Sequence, residues 1–558
     1  MLPEESWRGP RHPLADVDYA GDAEARRWLD AGAWLPLTLG EAVERAARER
    51  PHATAIADEA SRISYGELEA RSAAAARRLL AAGLEPGDRV LVQVGIGATA
   101  VVALLGLVRA GLVPVCAVPQ YRAYEMGALA RRSGARGHLV EPGAAGSADR
   151  VAFARELRDA HPSLERLVVA GGPGQQPAPD DALALEGGDA PDAALPAPAP
   201  RDVVTFQLSG GTTGVPKVIP RFHAEYLGYA AAWADRIALT PDDVLLWTLP
   251  VAHNAGMLCY LVPTLLRGAT LVLRRRFEAE NFLATIARER VTVTGSIGPI
   301  TPRLLDVERP DRHDLSSVRL FITLNRAAHV ERHLGVRATN MFGITEGVVT
   351  VAAPDDSAQA RHETVGRLVS AHDELRILVP GGEQEAAPGE PGELCFRGPS
   401  TLRAYVGDAD ATARAFTSDG FFRSGDLVCA HELDGRLHVS FEGRAKDNID
   451  RGGEKFGTEE IEALLAEHPA IQEARVVGMP DPYLGERVCA FAILRPGAPA
   501  PSVEQLGAFL LARGLAKFKL PERVEPVAEM PVTRVGKLDR AALRARIAET
   551  LATEAARP

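Results

Sequence analysis

Apolar positions along this chain follow two alternating rhythms. After the turn Pro86-Gly87-Asp88, the segment RVLVQVG (89–95) is a nearly unbroken apolar run of strand length. Residues 98–110 then read as a helix, and 112–118 as the next strand. The same succession returns at 243–249, 258–266 and 269–273. Strands that are apolar on both faces and alternate with helices belong in parallel sheets covered by helices. The expected fold class is therefore α/β, with a large N-terminal domain of parallel-rich sheets covered by helices.

Residues 171–200 are rich in Ala, Pro, Gly and Asp and read as a loose surface connection ahead of the strand at 203–208. A domain boundary is expected near Gly443, giving a large domain 1–442 and a small α+β domain 443–558. In the small domain a helix at 458–467 leads to strands at 471–479 and 486–494, a helix at 503–514 and a polar C-terminal helix. No internal repeat is present.

Composition narrows the function classes. The 558 residues are 46% apolar and 25% charged, ample for a large core plus a further domain. A net charge of −11 argues against a nucleic-acid partner. The five cysteines are scattered without a CxxC pair, which disfavours zinc and a disulfide framework and suits free thiols. The longest apolar stretch, 99–115, is broken by Gly106, Arg109 and Gly111, so no membrane span is expected. The polar start of the chain lacks the pattern of a secretory signal, and a cytoplasmic protein is expected.

The chemistry first shows in QLSGGTTGVPKV (207–218), which runs straight out of a strand. Gly210, Gly211 and Gly214 allow close approach of the backbone to an anion, with several N–H groups turned toward it. Ser209, Thr212 and Thr213 add hydroxyls and Lys217 a full positive charge. This is phosphate-binding chemistry, but not a Walker A loop, because Lys217 is followed by Val218 instead of Ser or Thr.

SGGTTGVPK resembles the signature loop of the adenylate-forming superfamily, which comprises acyl- and aryl-CoA synthetases, adenylation domains and luciferases. Further motifs match in order: FGITEG (342–347), SGDL (424–427), GRAKDNI (443–449) with RGGEK (451–455), and VGKL (535–538). The resemblance covers most of the chain, from about residue 38 to about residue 545. The resemblance implies attack of a carboxylate on the α-phosphorus of ATP, a meeting of two anions that needs charge neutralisation and alignment. It implies that residues 209–217 hold the β- and γ-phosphates, that Glu346 reaches Mg²⁺, and that Thr345 donates to the α-phosphate. It assigns the ribose hydroxyls to Asp426 with Arg444, and to Lys537 the bridging of carboxylate and α-phosphate. Lys446 would be the hinge about which a mobile small domain turns, withdrawing Lys537 and bringing 451–455 to the acyl-AMP. The stretch TLNRAAH (323–329) departs from the family's Gly-Gly-Ala-type adenine segment, so no adenine contact carries over to Asn325 or Arg326.

Within the superfamily the chain is most similar to aryl-acid adenylating enzymes of the salicylate and 2,3-dihydroxybenzoate type. That likeness implies that Asn254 meets an ortho-hydroxyl and the carboxylate region and that His253 lines the entrance, with Ala255, Cys259 and Gly343 in the same pocket. An unpaired buried amide is costly, so the pair selects a hydroxylated ring. Where that group carries Tyr or Phe after the His-Asn pair, this chain has Ala255, which opens the pocket floor. The expected substrate is a hydroxy-aryl acid larger than salicylate, such as a substituted or bicyclic naphthoate; the alternative is a monocyclic acid with the gap filled by another side chain. The expected acceptor is coenzyme A, the alternative the phosphopantetheine of a separate carrier protein. A luciferase-like oxygenase and a kinase fit the motifs less well, and a non-catalytic relative would have lost Lys537 or Glu346.

Overall fold

Strands Arg89–Gln93 and Val113–Cys116 pair in parallel and are joined by the helix Ala98–Arg109. The computed structural model describes residues 9–142, 149–171, 178–187, 189–209, 216–297, 300–324, 326–444, 448–531 and 539–555, without the side chains of Arg444 and Glu459. The helix is buried along its whole length. Its Val and Leu side chains enter a core that also takes in Val90 and Leu139 of one large sheet and Ile56 and Leu271 of another. Each such side chain contributes about 1.5–3 kcal/mol on burial. The apolar stretch at 99–115 is thus a helix in the layer between two sheets followed by the start of a buried strand. Among the described residues, no helix is long and apolar enough to cross a membrane.

The first large sheet has seven strands, parallel except at its edge, where Val203–Ser209 pairs antiparallel with Lys217–Phe222. The second has nine, six of them consecutive and parallel, from Ala338–Ile344 to Thr54–Ala57. A four-stranded antiparallel sheet follows, ending in Phe422–Leu433 and Arg436–Arg444. Gly443 and Arg444 still pair within it, opposite Leu427 and Asp426.

The small domain has its own five-stranded sheet and its own core, with Ile461, Val476, Ala490 and Leu506 at its centre. Its elements track the apolar pattern: helix Glu459–Ala466, strands Ile471–Asp481 and Gly485–Leu494, helix Val503–Ala512 and helix Arg540–Ala555. The fold is α/β with a large N-terminal and a small C-terminal domain. All five cysteines are free and buried. Burial pushes the thiols of Cys116, Cys395 and Cys489 up to about 12.

Candidate active site

The C-terminal ends of Val203–Ser209 and Ala338–Ile344, one strand from each large sheet, meet at a cavity of about 300 Å³. Carboxyl ends of parallel strands are where ligands of open α/β sheets sit. Ser209 Oγ donates to Glu346 Oε1 at 2.7 Å, and Thr345 Oγ1 to the Leu208 carbonyl at 3.4 Å, so side chains stitch the two sheets together here. Glu346 is buried and takes a second hydrogen bond on the same oxygen, from the Tyr405 hydroxyl at 3.0 Å. Burial and the Glu346 carboxylate push the Tyr405 hydroxyl far above its ordinary pKa. Lys217 Nζ lies 4.3 Å from the centroid of the Tyr405 ring. Gly347 follows with φ 129°, and a Cβ there would stand 1.9 Å from the Ser400 carbonyl oxygen, so only glycine lets the chain turn after Glu346.

At one end of the cavity His253 Nδ1 accepts the Ala255 N–H at 3.2 Å, and Asn254 Oδ1 accepts the Tyr226 hydroxyl at 2.8 Å. The helical turn then widens into a π-helix over Met257–Leu261. Pro263 accounts for it: proline has no N–H to offer the carbonyl of Cys259 four residues earlier. Trp233 Nε1 supplies that carbonyl instead, at 2.9 Å. The widened turn brings both Leu258 and Cys259 to the cavity wall beside Ala255. Met341 and Gly343 complete this floor. A Cβ on Gly343 would come within 3.2 Å of Val349 Cγ2, so the glycine leaves space that any side chain would take.

The strands around Asp426 and the small domain share the remaining wall. Asp426 is buried, and its strand register sets it opposite Arg444. Phe342 stacks on Phe441 with centroids 5.8 Å apart, and Lys455 Nζ lies 5.5 Å from the Phe342 ring. Asn448, Asp450, Glu454 and Lys455, from the hairpin of Ile449–Arg451 and Glu454–Phe456, line the cavity from the small-domain side. Behind this hairpin Lys519 is 2% exposed and stands 2.5 Å from Glu460 of its own domain and 3.4 Å from Glu125 of the large one. Glu125 also accepts the Ala516 N–H at 3.0 Å. Tyr121, a cavity residue of the large domain, stacks on Phe518 with centroids 6.2 Å apart.

Ser209, His253, Asn254, Ala255, Cys259, Gly343, Thr345, Glu346 and Asp426 therefore line one cavity. Gly210, Gly211, Thr212, Thr213, Asn325, Lys446 and Lys537 lie outside the described residues, as does the side chain of Arg444. Sequence reasoning did not single out Tyr226, Tyr405, Tyr121 or Lys519. A larger groove of about 960 Å³ elsewhere is lined by Arg236, Arg267, Arg367 and Arg436 and contains none of the motif residues, so volume alone does not mark the chemistry.

Comparison with known proteins agrees with this geometry. Residues 43–406 match the AMP-binding enzyme family and 460–537 the AMP-binding enzyme C-terminal domain. The chain belongs to the AMP-binding enzyme family. Pyochelin synthase PchD of Pseudomonas aeruginosa (strain UCBPP-PA14) is 40% identical, over 98% of this chain and 99% of that protein. The 2-hydroxy-7-methoxy-5-methyl-1-naphthoate–CoA ligase of Streptomyces carzinostaticus is 38% identical, over 96% and 98%. The apo structure of Mycobacterium smegmatis MbtA superposes with a TM-score of 0.71 at 33% identity, covering 96% of this chain and 99% of that one.

Proposed function

We propose that the enzyme activates a 2-hydroxy-aryl carboxylic acid larger than salicylate, such as a substituted or bicyclic naphthoate, and transfers the acyl group to coenzyme A. A carboxylate oxygen attacks the α-phosphorus of ATP, the bond from that phosphorus to the bridging oxygen breaks, and pyrophosphate leaves with the electron pair. A thiolate then attacks the acyl carbonyl, and AMP leaves. In this reading residues 209–217 hold the β- and γ-phosphates, Thr345 the α-phosphate, Asp426 and Arg444 the ribose, and Lys537 bridges the reacting groups. Glu346 suits Mg²⁺: among the described residues both hydrogen bonds to its side chain fall on Oε1, and Oε2 is a hard oxygen donor. With residues 443–558 as a mobile unit turning at Lys446, the hairpin against the cavity corresponds to the thiol-transfer pose.

The observation that carries the size of the acid is the floor of Ala255, Leu258, Cys259, Met341 and Gly343, described residues none of which is aromatic. The naphthoate–CoA ligase relative supports the same reading. A salicyl-AMP ligase / salicyl-S-ArCP synthetase of Mycobacterium tuberculosis (strain ATCC 25618 / H37Rv), 37% identical over 93% of this chain and 92% of that protein, favours a second one, loading of a salicylate-sized acid onto a carrier protein's phosphopantetheine. Pyrophosphate exchange over a panel of aryl acids, followed by mass analysis of the product with coenzyme A, separates them. The proposal expects 2-hydroxy-1-naphthoate to exceed salicylate, with AMP, pyrophosphate and an acyl-CoA as products. Release of ADP, or no acyl-CoA, would count against it.

A further inference from the structure

Tyr226 lies in the helix His223–Arg236, is fully buried, and has a single described acceptor for its hydroxyl proton, Asn254 Oδ1. Burial pushes its pKa well above 10, so the hydroxyl is a neutral donor. The two orientations of the Asn254 amide are not equivalent. With Nδ2 toward the tyrosine, the phenol would become an acceptor and its own proton would be stranded in the core, a loss of about 1–3 kcal/mol. The orientation with Oδ1 on the tyrosine satisfies that proton. It also leaves the two Nδ2 hydrogens with no described protein acceptor, on a residue that lines the cavity.

We propose that Tyr226 is a positioning residue that fixes the polarity of Asn254, so that the acid site offers a donor to the ortho substituent and discriminates 2-hydroxy from 2-amino aryl acids. The inference rests on the reading above that the ortho group of the acid meets Asn254. In a 2-hydroxy acid the phenol proton is held internally by the neighbouring carboxylate, and the oxygen lone pairs face outward to accept. In a 2-amino acid the nitrogen lone pair is drawn into the ring, and the second N–H points outward. Donor then meets donor, and a free amide able to turn over would be needed to accommodate it. The hydroxyl of Tyr226 withholds that freedom.

The test compares salicylate and anthranilate, which match in ring size, by pyrophosphate exchange in wild type and Tyr226→Phe. Wild type should favour salicylate in kcat/KM by at least about tenfold, and Tyr226→Phe should lower that ratio by about tenfold. A purely structural role would reduce both acids by one factor and leave the ratio unchanged, which would overturn the proposal. Activation of neither these acids nor 2-hydroxy-1-naphthoate would overturn the site reading and the proposal with it. Activation with an unshifted ratio overturns only the role of Tyr226. If the variant does not fold, wild type with 2-fluorobenzoate decides: an acceptor without a donor should surpass anthranilate, and the reverse order would refute the oriented amide.

Discussion

The two walls of the cavity are built by different physics. The wall around Asn254 belongs to the shared core of the large sheets, where Met257, Leu258 and Cys259 are buried in a turn forced open by Pro263. Its polar members are tied by neutral hydrogen bonds, Tyr226 to Asn254 and Trp233 to Cys259. The opposite wall is a hairpin of another domain, held by the buried ion group Glu125–Lys519–Glu460 and the Tyr121–Phe518 stack. Close-packed apolar cores resist displacement. An ion group that can be rehydrated on opening has a cost of desolvation that offsets much of its attraction. One wall is held by close packing, and the proposed domain rotation would part the other.

The largest effect should come from the residue expected to act only in the other domain pose. Lys537→Ala should slow adenylation by roughly 10²–10³-fold while sparing thioester formation from supplied acyl-AMP, measured as separate half-reactions. Equal losses in both would remove the two-pose reading. Ala255→Phe tests the rigid wall: overpacking by a ring costs about 1–3 kcal/mol, so 2-hydroxy-1-naphthoate should lose roughly ten- to a hundredfold in kcat/KM against salicylate. A ratio indifferent to the substitution would mean that the floor has room elsewhere. Lys519→Met leaves two buried carboxylates facing each other and should slow the thiol step on the order of tenfold, with less effect on adenylation. The opposite order would show that this contact does not favour the pose described.

The smallest effect concerns the frame behind Val349 of the cavity wall. The Tyr229 hydroxyl donates to Asp373 at 2.9 Å and accepts the Val349 N–H of the cavity wall. Burial pushes the Asp373 carboxyl up to about 7, against the opposing pull of Tyr229 and Arg221. Between about pH 4 and pH 7 the folded protein then holds a proton that the unfolded chain has released, so stability falls as pH rises through that window. Asp373→Asn should flatten this fall, seen as a smaller difference in melting temperature between pH 5 and pH 8. An unchanged difference would place the titration elsewhere.

Much of this molecule was legible in its sequence because the signals are local. Apolar runs at 89–95, 98–110 and 269–273 mark elements whose positions depend on neighbours in the chain, and contiguous motifs deliver Ser209, Asn254, Glu346 and Asp426 to one cavity. Boundaries moved by a residue or two where pairing stops, as at Val113–Cys116 inside 112–118. What escaped reading is what depends on distant partners. Tyr226 sits in a helix that is buried throughout 223–230, and only the approach of Asn254, 28 residues later, gives its hydroxyl a task. Lys519 gains its buried ion partner across the domains only when Glu125, nearly four hundred residues away in the chain, closes over it. The π-helix had a visible cause in Pro263, but a missing donor announces a defect without saying which tertiary donor repairs it.

The five buried thiols have a practical consequence. None lies on the surface, so a maleimide dye should find little to react with in the native protein. Cysteines introduced at the exposed Leu437 of the large domain and Tyr483 of the small one would then be the only ready targets. A donor–acceptor pair attached there could follow the movement of one domain against the other, turnover by turnover, in a chain that keeps all its natural cysteines.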